Sequence, residues 1–231
     1  MKILNYIFSK RNPDLVLVDT DIIAHAPARF FVAGIGDALA TYYEARACKA
    51  SGARNMARGG ATNTAMMMAK LCCDLLFEYG YAAKCAVDKK EADDAVDNVL
   101  EATILLSGVG FESGGLAAAH AINDGFAFVP SAHGAMHGEK VAFGLITQLI
   151  LEKVSEDELN KILDFNISVG LPVCLSDLGI ETVIEDEIKK VAEAACVKTQ
   201  STKNMPFPVS EDDVFKAILL ADKKGKARKN K

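Results

Sequence analysis

From Gly36 onward, apolar positions recur every three to four residues, the spacing of helices that bury one face. The pattern predicts helices over Asp37 to Ser51, stopped by Gly52, and over Thr62 to about Asp88. Three more follow over Ala92 to about Ser107, Leu116 to Asp124 and Glu139 to Lys153. Later starts carry capping-box spacing: Ser155 with Glu158, Thr182 with Glu185, and Ser210 with Asp213. Ahead of Gly36 the texture differs. Leu15 to Val18, bounded by Pro13 and the Asp19/Thr20 pair, reads as a strand. A single strand cannot satisfy its own backbone groups, so the first thirty residues are expected to be the end of another domain. The expected fold class is all-α, with one leftover N-terminal strand.

Composition narrows the function. Half of the 231 residues are hydrophobic, enough for a sizeable core, and the formal charge of −5 offers no basic field for a nucleic acid. The one dense positive run, "DKKGKARKNK" from Asp222 to Lys231, has no aromatic residue to stack on a base and reads as a solvated, frayed tail. The six cysteines, Cys48, Cys72, Cys73, Cys85, Cys174 and Cys196, show no pair with the two-residue gap of a zinc ribbon or redox site. They are expected to be buried free thiols, which suits a cytoplasmic protein. No segment reaches the ~18 apolar residues of a membrane span, and "MKILNYIFSKRN" is interrupted by charge too early for a signal peptide.

Two glycine pairs invite a nucleotide-loop reading and fail it. In "FFVAGIGDALA" the third glycine is replaced by Leu39, no βαβ pattern follows, and Asp37 at the helix entry would repel a pyrophosphate. "LSGVGFESGG" follows a helical run instead of a strand. The four histidines carry more. His133 and His137 stand four apart, but Pro130, Gly134 and Gly138 argue against a helix through both, and the zincin order with Glu directly after the first His is missing. A loop through His133 that enters a helix near Gly138 would put His137 at the positive helix end, where a neutral imidazole is favoured over a charged one. Taken alone, His120 reads as a core histidine, Asp37 as a helix N-cap, and His25 as a surface or linker residue.

A resemblance ties them together. "GIGDALATYYEARAC" (Gly34 to Cys48), "LLSGVGFESGGLAAAHAI" (Leu105 to Ile122) and "HGAMHGEKVAFG" (His133 to Gly144) resemble, in order, three signature regions of the glycerol dehydrogenases, in the iron-containing alcohol dehydrogenase superfamily. The likeness runs from about Asn12 to about Asp222. It implies a metal held by Asp37, His120 and His137, with His133 nearby and not a ligand. Thr41 stands where many iron-dependent members carry a further His, and this favours zinc. Asp37 stands where dehydroquinate synthase uses Glu.

The resemblance also implies what to expect of the whole. Residues 1–30 would be a remnant of a nucleotide-binding domain, residues 31–222 the helical metal-binding domain, and residues 223–231 a basic disordered tail. The chain would be the metal-binding half of an NAD-dependent glycerol dehydrogenase, converting glycerol to dihydroxyacetone. Lacking an α/β half, it would be inactive alone and would use NAD only if a separate nucleotide-binding polypeptide supplied it. The resemblance further implies a small polyol substrate and a homo-oligomer. A non-catalytic helical assembly module, or a relic of the same family, stays open as the alternative.

Overall fold

The structure is a computed structural model that describes residues 11–230; "MKILNYIFSK" lies outside the described residues. Helix α1 (Thr20–His25) is capped by Asp19, whose carboxylate accepts from the Ile22 amide, and precedes the long α2 (Ala28–Ser51). Helix α2 ends where Gly52 takes a left-handed conformation (φ 71°), as its position after the last periodic residue predicts. Helix α3 (Asn63–Asp88) starts at the expected Thr62 cap. Helix α4 (Asp94–Leu100), a π-helical stretch over Glu101–Leu106 and α5 (Ser107–Gly114) then follow without a break. The short α6 (Ala118–Gly125) and α7 (His137–Leu151) come next, then α8 (Glu156–Val169), α9 (Glu185–Ala195) and α10 (Glu211–Lys229).

The core forms around α2 and α7. Helix α2 packs on α3, α5 and α7, while α7 also meets α6 and α10. Ile35, Leu39, Leu76, Ile122, Phe126, Phe143, Leu145 and Leu149 are fully buried between these elements. Phe126 and Phe143 meet edge to face at 5.9 Å, joining the end of α6 to α7. No single helix among the described residues is long and apolar enough to cross a membrane. Four of the thiols are buried as expected, whereas Cys85 and Cys196 are only half-buried.

The all-α expectation stands, and four details of it are corrected. Leu15 to Val18 forms no strand, because no partner strand exists among the described residues. The segment runs irregularly along a groove of about 720 Å³ lined by Val16, Val18, Leu105 and Val109, with Leu15 and Leu17 exposed. The basic tail is not frayed: α10 continues to Lys229, tied by Lys224 to Glu156, Arg228 to Asp164 and Lys229 to Asp177. Helix α2 begins nine residues before Asp37, so that Asp37 is no N-cap but an interior residue. Helix α9 starts behind Ile184 instead of Thr182.

Candidate metal centre

Three helices deliver one ligand candidate each, and in each case a glycine lets the backbones approach. Gly36 precedes Asp37 on α2, and a Cβ there would lie 2.6 Å from the carbonyl oxygen of Gly138 on α7. Gly138 itself follows His137, and its own Cβ would collide with the carbonyl of Ala33 on α2. One turn and a half further along α7, Gly144 leaves room for the backbone of Ala119, the residue before His120 on α6. Of the two glycines in "GIGDALA" that first suggest a nucleotide turn, Gly36 is therefore a crossing point of α2 and α7, while Gly34 has nothing near it.

The result is a cluster in which one atom each from Asp37, His120 and His137 lies within 4.8 Å of the others. Asp37 Oδ1 faces His120 Nε2 at 3.2 Å and His137 Nε2 at 3.4 Å. That oxygen is buried and makes no hydrogen bond of acceptable geometry to either ring. A buried oxygen normally has a hydrogen-bond partner. Ligand atoms about 2.0–2.1 Å from a tetrahedral zinc sit roughly 3.3 Å apart, which matches both separations. The donor set, one carboxylate and two imidazoles, therefore fits a divalent metal ion with coordination positions left open. His120 is enclosed, while the side chains of Asp37 and His137 are 42% and 51% exposed, so the open side of the cluster faces outward.

Electrostatics couple the three residues. Burial pushes the Asp37 carboxyl up, but His120 and His137 outweigh it and hold the group well below the usual carboxylate range. Burial also disfavours a charged His120, yet the carboxylates of Glu44 and Asp37 raise its pKa above the ordinary imidazole value. An ion and protons would thus compete for the same nitrogens. Cys72 is close by on α3 but is no donor: burial, with Cys73 and Asp37, pushes its thiol up to about 12, and it bonds the carbonyls of Ala38 and Ala102.

The other candidates fall as the sequence suggests. His133 lies in a 3₁₀ turn and its Nε2 meets the Ala127 carbonyl at 3.0 Å, and His25 Nδ1 meets the Asp21 carbonyl at 2.8 Å. His137 is the first residue of α7, as the loop argument predicts. Thr41, one turn beyond Asp37, is buried and shares a hydrogen bond with Ser107 at 2.9 Å. Sequence reasoning missed three neighbouring groups. Glu44, fully buried, bonds His120 Nδ1 at 2.5 Å; Gln148 joins it at the start of α6; and Arg29 grips Glu139, which caps the Met136 amide at 2.7 Å ahead of His137. Glu44 stands seven residues after Asp37, two helical turns along the same face, and that spacing is the signal that could have found it.

No family model matches the chain. Individual proteins do. The glycerol dehydrogenase of Thermotoga maritima is 48% identical over 225 residues, 97% of this chain and 62% of that protein. The crystal structure of a probable glycerol dehydrogenase from Sinorhizobium meliloti 1021 superposes with a TM-score of 0.91 at 44% identity, over 94% of this chain and 61% of that one. The glycerol dehydrogenase structure from Schizosaccharomyces pombe gives 0.94 at 37% identity, over 97% and 58%. The chain thus spans about three fifths of the length of the relatives it matches. It belongs to the iron-containing alcohol dehydrogenase family, in which it corresponds to the C-terminal helical half of the glycerol dehydrogenases.

Proposed function

We propose that the chain is the metal-binding half of an NAD-linked glycerol dehydrogenase, with Asp37, His120 and His137 holding a zinc ion. The observation that carries this reading is the enclosed, unbonded Asp37 Oδ1 with two imidazole nitrogens at 3.2 and 3.4 Å. Bound by three protein ligands, the ion supplies Lewis acidity toward a hydroxyl or carbonyl oxygen of a small polyol. Asp37 and His137 form the open rim that a substrate would approach, and His120 anchors the closed side. The dehydrogenase relatives and Thr41, engaged with Ser107 where a further imidazole would favour iron, support zinc and a polyol over other pairings.

Moving a hydride requires a nicotinamide, which we place on a nucleotide-binding domain beside this helical half. The 231-residue chain alone should then show no glycerol-dependent reduction of NAD. Mixing zinc-loaded chain with a recombinant nucleotide-binding domain from a relative tests this: activity that appears only in the mixture supports it. Robust turnover by the chain alone, or a zinc-loaded mixture that stays silent, would contradict it.

A further inference from the structure

Helix α6 begins in the interior. Ala117, Ala118 and Ala119 are fully buried, and Ala117 at the N-cap has no side chain to offer the first amides. A helix start leaves four N–H groups without intrahelical partners, and burying one bare costs about 1–3 kcal/mol. Here two side chains from other helices take all four. Glu44 Oε1 accepts from the amides of Ala117 at 2.9 Å and His120 at 3.1 Å. Gln148 Oε1 accepts from those of Ala118 and Ala119, both at 3.0 Å. The second oxygen of Glu44 is thereby left to face His120 Nδ1 alone, at 2.5 Å.

Glu44 thus meets α6 as an acceptor, and with its second oxygen in the same role the ring donates from Nδ1. A neutral ring with its proton there has its lone pair on Nε2, the nitrogen facing Asp37. We propose that Glu44 is a positioning residue of the metal centre: it caps α6 with one oxygen and, with the other, holds His120 in the tautomer that presents Nε2 to an ion. The inference rests on the metal-centre reading above. It also explains why the residue is Glu and not the isosteric Gln. An amide that turned its oxygen to the two backbone donors would set its NH₂ against Nδ1 and drive the ring proton onto Nε2. Turned the other way, the NH₂ would oppose the amides of Ala117 and His120.

The test titrates zinc chloride into metal-free full-length chain, as wild type, Glu44→Gln and Gln148→Met. Glu44→Gln should keep its helical circular dichroism and bind zinc about 10–100-fold more weakly. Gln148→Met, which removes two cap bonds without touching the ring, should lose stability but keep zinc affinity within about threefold. In metal-free wild type, at a pH alkaline enough to leave the ring neutral, long-range ¹H–¹⁵N correlation should put the His120 proton on Nδ1, a readout that needs no variant and decides the matter if Glu44→Gln does not fold. The proposal is overturned if Glu44→Gln binds zinc as tightly as wild type, if Gln148→Met weakens binding equally, or if the His120 proton sits on Nε2. A wild-type chain that takes up no zinc overturns the metal-centre reading and this one together, which separates the two failures.

Discussion

Gly36 and Gly138 bring α2 and α7 into backbone contact beside Asp37 and His137, and a methyl group added at Gly36 would lie 2.6 Å from the Gly138 carbonyl oxygen and 2.7 Å from Leu171 Cδ2. Neither neighbour is the loose end of a surface chain. Gly36→Ala should cost about 1–3 kcal/mol of stability through overpacking. It should also weaken zinc binding, since the two helices carry proposed ligands next to the contact. Urea denaturation and zinc titration of the variant check both. Unchanged affinity would show that the crossing does not set the ligand geometry.

Arg29 holds Glu139 through two hydrogen bonds, at 2.6 and 2.7 Å, and also reaches the Gly134 carbonyl. Because the Arg29 side chain is 58% exposed, the pair should contribute little to global stability, and Arg29→Ala should cost no more than about 1 kcal/mol. Its effect should be local: freeing Glu139 loosens the start of α7, so zinc affinity should drop a few-fold through His137. Equal affinity with normal stability would limit Arg29 to a surface role.

His133→Ala and His25→Ala should leave zinc affinity unchanged, because each ring is committed to a backbone carbonyl outside the cluster. Zinc titration of either variant would expose the error if affinity fell tenfold.

Acid sensitivity should arise in part where the last helix is tied down. Burial pushes the Asp177 carboxyl up, but Lys229 at 2.7 Å and the Val173 amide at 3.0 Å outweigh it and hold the group below the usual range. A carboxyl depressed in the folded state adds stability that is fully present above its unfolded pKa of about 3.9 and is lost as pH falls toward the lower folded value. Asp177→Asn should therefore be less stable than wild type at pH 7, with the gap narrowing below about pH 4. Urea midpoints at pH 7 and pH 3 measure it, and a gap that widens in acid would refute the assignment.

Much of this was legible in residue order, and what was not has identifiable causes. Thr62, Ser155, Ser210 and Gly52 mark helix ends by local chemistry, and local chemistry is what a linear pattern records. The start of α2 was hidden because Gly34 and Gly36 weaken helical propensity, whereas at Gly36 the crossing with α7 demands the missing side chain. The basic tail reads as solvated because its partners, Glu156, Asp164 and Asp177, lie more than fifty residues away. Motif likeness singled out Asp37, His120 and His137. Glu44 escaped because its three bonds all reach α6, more than seventy positions along the chain.

Zinc should also stabilise the fold, since the proposed ligands come from three separate helices. At a free concentration near one hundred times the dissociation constant the gain is about 2.7 kcal/mol. For a chain of this size that amounts to roughly 5–10 °C in Tm. Chelation should reverse the shift, and a Tm that ignores both zinc and chelator would count against a site that spans α2, α6 and α7.

The most direct measurement is zinc content after dialysis against trace metal, for the wild-type chain and for His120→Ala, with circular dichroism confirming that both are folded. The expected result is about one zinc ion per chain in the wild type and none retained by the variant. Equal zinc in the two proteins would contradict the assignment of Asp37, His120 and His137 as a single metal centre.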